Sequence, residues 1–232
     1  MNSKNKHQDL KNYYDNEELA LIEIKKSGSN MQYLSERLRY DKKFILRCIR
    51  YFESPDNSLF ISDSLRDDAE VVMEMVKKSF YFLDVASKRL KNDRDFMLKL
   101  VDISNNCFSY ASYALKTDRD FVLKVVKING ELLGEVFSVS LKNDKEVVLE
   151  ATKNFGVSLR HASKNLQSDK DCLEAFELNQ EKPEVKKLIK YYGHDVLRFY
   201  LDKVQEIENL KEHEKMLLSI KNKSVKNKVS KF

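Results

Sequence analysis

Apolar residues along this chain gather into short stripes that return at nearly constant intervals. After Asp118 they stand at Phe121, Val122, Val125 and Val126; after Asp93 at Phe96, Met97, Leu100 and Val101; after Asp68 at Val71, Val72, Met75 and Val76. Positions i, i+1, i+4 and i+5 form one face of a 3.6-residue helix and do not follow the alternation of a strand. The residues heading the stripes, Asp68, Asp93, Asp118, Asp144 and Asp169, are 25, 25, 26 and 25 residues apart. A fixed period of that size is the signature of a repeat architecture.

The polar residues between stripes predict where each helix starts and stops. Asp67, Asn92, Thr117, Asn143 and Ser168 precede the recurring aspartates and are residue types suited to an N-cap, which would place the aspartate itself at N1. Glu70, Asp95, Asp120, Glu146 and Asp171 then fall at N3, with Glu70 and Glu146 best suited to a capping box. Twelve residues past the aspartate, Asn105, Gly130 and Gly156 suggest a left-handed residue closing the helix. A second apolar stretch follows, as in Phe82, Leu83 and Ala86 or Leu132, Leu133 and Val136, so each unit reads as helix, turn, second helix, turn.

Neither helix has enough apolar surface to stand alone, and neighbouring units must stack to bury a shared core. The expected fold is therefore all-α: an α-solenoid of six to seven repeats of about 25 residues with a C-terminal capping helix. The core should hold Phe96, Leu100, Phe121, Val125, Val148 and Leu149, the repeat-opening Leu90, Leu115 and Leu141, and the aromatics Phe80, Phe82, Phe108 and Phe137.

Weaker copies extend the array towards the amino terminus. Asp41 is followed by Phe44, Ile45, Cys48 and Ile49, although Tyr40 and Lys43 replace the polar and acidic residues of its cap. Asn16, Leu19, Ala20 and Ile24 suggest a degenerate first unit. The organisation expected is a polar arm at 1–13, the array at 14–180, capping helices at 181–218 and a disordered basic tail at 219–232. Within the capping region, Val185, Leu188, Ile189 and Tyr192 make a short stripe. Val196, Leu197, Tyr200, Leu201, Val204, Ile207, Leu210 and Leu217 make a longer one.

The phrase Leu115-Lys116-Thr117-Asp118-Arg119-Asp120-Phe121-Val122-Leu123 is shared with the segments opening at Leu90 and Leu141. Followed by Val126-Lys127-Ile128-Asn129-Gly130 and a second helix, it resembles the DUF4116 repeat family, whose function is unknown. The resemblance is good over about 65–176 and weaker back to about 14. It implies tandem helical repeats and implies no activity, substrate or site residue.

Charge is placed unevenly. Residues 181–232 hold 13 Lys/Arg and 8 Asp/Glu, while the residues before them hold 29 of each. Lys91, Arg94, Lys116, Arg119, Lys142 and Lys145 recur two before or one after the aspartate, so stacking would align them into a cationic edge able to follow a phosphate backbone. The acids one position later would turn that edge into a neutral lattice, and the balanced charge of residues 1–180 favours neutrality. Tyr110 and Tyr113, at i and i+3, are candidates for an exposed aromatic pair on which bases could stack. Lys221, Lys223, Lys226 and Lys228 supply the basic tail.

Catalytic chemistry finds little support. Consecutive aspartates one repeat layer apart, on the order of 10 Å, are too distant to share a metal. His7, His161, His194 and His213 lack metal-ligand spacing, and no phosphate loop or nucleophile elbow appears. Cys48, Cys107 and Cys172 form no CxxC pair and suit a reducing, cytoplasmic setting. No apolar run approaches the length of a membrane span. The leading expectation is a non-enzymatic module, without cofactor or metal, that binds a protein partner and inhibits or modulates it; an anti-CRISPR-type inhibitor is one concrete form. The alternative is RNA or single-stranded nucleic-acid binding through the basic edge and tail, and an enzyme with an unrecognised site comes third.

Overall fold

A computed structural model describes residues 14–180 and 194–229, and every regular element among them is helical. The polar arm at 1–13, the stripe from Val185 to Tyr192 and the last three residues lie outside the described residues. The chain divides into two compact units, one ending at Phe121 and the other starting at Val122. The first contains α1 (Glu17–Lys26), α2 (Glu36–Tyr40), α3 (Lys42–Cys48), α4 (Asp63–Arg66), α5 (Ala69–Lys78), α6 (Lys88–Lys91), α7 (Arg94–Ile103), α8 (Tyr113–Thr117) and the first turn of α9 (Arg119–Ile128). The second contains the rest of α9, α10 (Val139–Lys142), α11 (Lys145–Asn154), α12 (Lys164–Gln167), α13 (Lys170–Gln180) and α14 (His194–Val229). This is an all-α tandem-repeat fold of the solenoid class.

The expected second helix is broken in two. Between one long helix and the next lie a 3-10 helix, such as Phe80–Asp84 or Asn105–Tyr110, and then a single α-turn, such as α6 or α8. A serine six residues before each aspartate makes the break. Ser87 Oγ accepts from Leu90 N at 3.1 Å and Ser112 Oγ from Leu115 N at 3.2 Å, so these two serines cap their one-turn helices and present Leu90 and Leu115 to the core. Serine bonds local backbone more readily outside a helix than within one, which favours a new start over a continuous helix.

The same serines join repeats within each unit. Ser35 N donates to Tyr14 O at 3.2 Å, Ser62 N to Arg39 O at 3.1 Å, Ser87 N to Arg66 O at 3.1 Å and Ser112 N to Lys91 O at 2.8 Å. In the second unit Ser163 N donates to Lys142 O at 2.9 Å.

The recurring aspartates are themselves the N-caps, one residue later than the sequence suggested. Asp68 accepts from Glu70 N and Val71 N at 3.0 and 3.1 Å, Asp118 from Phe121 N at 2.7 Å, and Asp169 from Asp171 N at 3.1 Å. A carboxylate at the helix start combines the capping bond with the favourable end of the helix dipole. The acids expected at N3 therefore stand at N2 and form no capping box. The residue before the aspartate instead takes the hydroxyl proton of the next repeat's serine: Ser112 Oγ donates to Asn92 Oδ1 at 2.5 Å, Ser163 Oγ to Asn143 Oδ1 at 2.6 Å, and Ser87 Oγ to Asp67.

Thr117 has no such role, since its hydroxyl turns back onto Tyr113 O and Ala114 O at 3.0 and 3.2 Å. Asp118→Ala should accordingly cost about 1 kcal/mol, the usual loss of a cap. Thr117→Ala should stay within about 0.5 kcal/mol. Urea unfolding of both variants checks the assignment, and a larger loss for Thr117→Ala would return the cap to that residue.

The helix ends also differ from expectation. Among the described residues none has a positive φ. The long helices stop at an extended residue, as at Ser79, Ser104 and Asn129, and Gly130 and Gly156 open the following 3-10 helices. The freed carbonyls are met by the next repeat, from the position ten residues past its aspartate. Lys78 Nζ donates to Arg50 O at 2.7 Å, Asn154 Nδ2 to Lys127 O at 2.9 Å, and Asn179 Nδ2 to Lys153 O at 2.9 Å. The two asparagines also accept the N–H of Gly130 and Gly156, each at 2.8 Å.

The core follows the stripes. Phe96, Leu100, Phe121, Val125, Val148, Leu90, Leu115 and Leu141 are buried, as are Phe82 and Phe108. Leu149 is only half-buried, because Val147, Val148, Ala151 and Thr152 occupy the inward face of α11 and Leu149 lies about 100° round from Val148. Phe80 is likewise half-buried. Phe137 is 74% exposed, since it falls between the 3-10 helix Gly130–Glu135 and the Ser138 cap rather than on a helical face. No helix among the described residues is long and apolar enough to cross a membrane.

Candidate interaction surfaces

The lysines two residues before the aspartate fold back onto their own repeat. Lys91 Nζ donates to Asp84 O at 3.2 Å and lies 5.9 Å from the Tyr110 ring. Lys116 donates to Ser109 O and lies 6.0 Å from the Phe108 ring. Lys142 donates to Gly134 O at 3.3 Å. Each reaches carbonyls at the end of its 3-10 helix, and burial holds the Lys91 and Lys142 ammonium groups below the usual lysine pKa. Gln167 does the same in the last repeat, donating to Arg160 O at 3.0 Å and Ala162 O at 2.9 Å. A neutral amide in the same place argues that this position closes a turn, with its charge incidental.

The basic residues one after the aspartate pair across repeats. Lys42 bridges Asp68 and Glu70 at 2.9 and 2.7 Å, Arg94 meets Asp118 at 2.7 Å, and Lys145 bridges Asp169 and Asp171 at 2.8 and 2.7 Å. Hydrogen bonds that Lys145 donates to Asp169 and Asp171 raise its pKa, and Lys145 in turn holds Asp169 below the carboxylate range. For Asp118 the Phe121 N–H lowers the pKa most, with Arg94 adding to it. Arg119, exposed at the start of α9, is engaged as well. The geometry thus joins Arg94 and Lys145 to the next repeat's acids, while Lys91, Lys116 and Lys142 close turns of their own repeats, so the candidate cationic edge is engaged within the fold.

Tyr110 and Tyr113 do not share a helix face. Tyr110 ends one 3-10 helix and Tyr113 opens α8, with the extended Ala111 between them. Tyr110 is half-buried, its ring 6.4 Å from that of Phe80, and burial together with the Asp84 carboxylate pushes its hydroxyl pKa up. Tyr113 is 76% exposed. The backbone of α14 is helical through the lysine-rich segment expected as a disordered tail, and Lys221 stands exposed on it. Lys223, Lys226 and Lys228 share that helical backbone, while their side chains lie outside the described residues.

Burial favours the neutral form of the three thiols and of one imidazole. Burial pushes the Cys48 and Cys172 thiols up to about 12 and Cys107 up to about 11, and all three are free. Burial, followed by the charges of Arg160 and Lys142, lowers His161 to about 4. Its neutral imidazole accepts at Nε2 from Arg160 Nε at 2.9 Å. No group of three His, Cys, Asp or Glu side chains among the described residues is arranged to hold a metal ion.

The first unit also carries a concave surface that the repeat pattern does not announce. In the first unit, the links preceding α2 and α4 border a groove of ≈ 580 Å³ lined by Tyr33, Tyr40, Leu59, Arg39, Asp63 and Arg66. The two tyrosines and Leu59 are exposed. The Tyr33 ring is steadied by Tyr14 at 5.3 Å, and Arg39 is fixed by bonds to Leu34 O at 3.0 Å and Gln32 O at 2.7 Å. A signal was present in the sequence: Tyr40 stands where other repeats have a polar residue before the aspartate.

No curated protein and no solved structure matches the chain. The family described as a domain of unknown function, DUF4116, matches residues 16–66, 68–116 and 118–167. Each matched segment carries the aspartate-capped long helix and the serine-capped turn described above, or their first degenerate copies. With well over half of its length covered by three consecutive matches, the chain belongs to the DUF4116 family.

Proposed function

We propose that this protein is a non-enzymatic interaction module that binds a protein partner through the groove of its first unit. The observation that carries this reading is the groove's lining, which combines exposed Tyr33, Tyr40 and Leu59 with Arg39 and Arg66. Tyrosine and arginine are enriched in protein-binding surfaces, where an aromatic ring contributes large contact area with few torsions to freeze. The engagement of Lys91, Arg94, Lys116, Lys142 and Lys145 within the fold weakens the nucleic-acid alternative along the array edge. Inhibition or modulation of the partner, in the cytoplasm, is the finer form of the proposal. The unpaired, buried cysteines support a reducing compartment.

Affinity capture from the native cell, with and without nuclease, tests this reading. The full chain should retain a protein partner after nuclease treatment, and Tyr40→Ser with Leu59→Ser should release it while leaving the melting temperature nearly unchanged. Loss of the captured material on nuclease treatment, with indifference to the groove substitutions, would transfer the function to RNA.

A further inference from the structure

The helix α14 is much longer than the surface it packs on. Ile207 is buried, and next to it Lys170 of α13 meets Glu214 at 3.0 Å and Lys211 meets Glu177. Every residue from Glu208 to Ser219 is nevertheless exposed, including Leu210, Met216, Leu217 and Leu218. Ile207, Leu210, Leu217 and Leu218 lie at helical spacing on one face, so the stripe that begins against α13 continues with no described residue over it. Leu217 and Leu218 are 51% and 59% exposed. A lone helix of this kind gains stability chiefly from packing its apolar face, which argues for a cover.

The charge along α14 identifies the cover. Residues 195–214 carry six acids and three bases, whereas residues 215–229 carry five lysines and no acid. The helix therefore has an acidic half and a basic half that meet at its apolar middle. We propose that α14 pairs with α14 of a second copy of this chain, antiparallel, across a two-fold axis between Leu217 and Leu218. Such a pair sets the acidic half of each helix beside the lysine half of the other. In that register Glu214 stands opposite the partner's Lys221, twice by symmetry, with the leucines between the two contacts. A parallel pair would set like charges side by side, and charge patterns of this kind fix orientation in helix pairs. The interface is self-complementary, as a two-fold requires.

Sedimentation equilibrium of the full chain, from micromolar to submillimolar concentration, should give a monomer–dimer equilibrium that weakens with salt. Leu217→Glu combined with Leu218→Glu should raise the dissociation constant at least about thirtyfold, as removal of central apolar anchors does. Far-UV circular dichroism and thermal melting of that variant at low concentration should match the parent. Lys221→Glu alone should weaken the dimer, and Glu214→Lys together with Lys221→Glu should restore it, although Glu214→Lys also releases Lys170. A monomer at every concentration, a dimer indifferent to the leucine substitutions, or a double charge swap weaker than the Lys221→Glu single variant would each overturn the proposal.

Discussion

Gly130→Ala is expected to destabilise the protein by about 3 kcal/mol, although backbone preference alone predicts the opposite sign. At a position that alanine can adopt without strain, replacing glycine stabilises by about 0.4–1 kcal/mol through the unfolded chain. Gly130 has no positive φ, so conformational freedom does not explain its presence. Close approach does. An added Cβ would lie 2.1 Å from Ala151 O and 3.0 Å from both Ala151 C and Phe155 N.

All three atoms belong to the backbone that closes α11, where Phe155 N donates to Ala151 O at 2.8 Å. No rotamer change can move them aside. The end of α11 must shift, and the Asn154 bonds to Gly130 N and Lys127 O shift with it. Overpacking of a tight contact costs about 1–3 kcal/mol, and each disturbed hydrogen bond adds about 1 kcal/mol. Gly134 provides the control, because the three atoms nearest a Cβ there, from 2.9 Å at Nε2, all belong to the His161 side chain, which can give way where backbone cannot. Gly134→Ala should cost about 1 kcal/mol or less. Urea unfolding that ranks Gly134→Ala above Gly130→Ala would mean that repeats are not in contact at Gly130 as described.

Much of the fold could be read from the chain because its strongest terms are local and periodic. The stripe after each aspartate fixes which face of the long helix is buried, and burial at Phe96, Leu100, Phe121, Val125 and Val148 follows directly. The cap fell one residue off because Asn92 or Asn143 and the following aspartate are both good capping types, and propensity does not separate neighbours. What separates them is the next repeat, whose serine hydroxyl uses Asn92 and Asn143 as acceptors. The serine six residues before the aspartate recurs as regularly as the aspartate does, at Ser35, Ser62, Ser87, Ser112, Ser138 and Ser163. Its meaning was hidden because a polar residue inside an apolar stretch reads equally well as a solvated helix position.

The candidate surface was less legible for a related reason. A recurring lysine has one appearance in sequence whether it faces solvent or closes a turn. Only the carbonyls of Asp84, Ser109 and Gly134 distinguish the two for Lys91, Lys116 and Lys142. The groove of Tyr33, Tyr40 and Leu59 arises where the first repeats depart from the pattern, and departures carry no periodic signal.

Phe121→Ala should cost about 3–5 kcal/mol, the range for removing a large side chain from a packed core. Phe121 is fully buried at the third position after its Asp118 cap, and its ring stacks on that of Phe108 with centroids 6.4 Å apart and planes 18° apart. Phe108 belongs to the 3-10 helix of the preceding repeat, so the pair couples one repeat to the next. In a stack of this kind stability is a sum of repeat and neighbour contributions, and loss of the ring removes some of both.

Phe121→Leu, which keeps most of the volume, should lose roughly 1–1.5 kcal/mol. Leu123→Ala offers the contrast: Leu123 is two residues on, turned away from the inward face of α9 and only half-buried. Its loss should be about 1 kcal/mol, the central cost of an ordinary substitution. Chemical denaturation should place these variants in the order Phe121→Ala, Phe121→Leu and Leu123→Ala together, then Thr117→Ala. A smaller loss for Phe121→Ala than for Asp118→Ala would mean that the cap, not the apolar stripe, holds the repeats together.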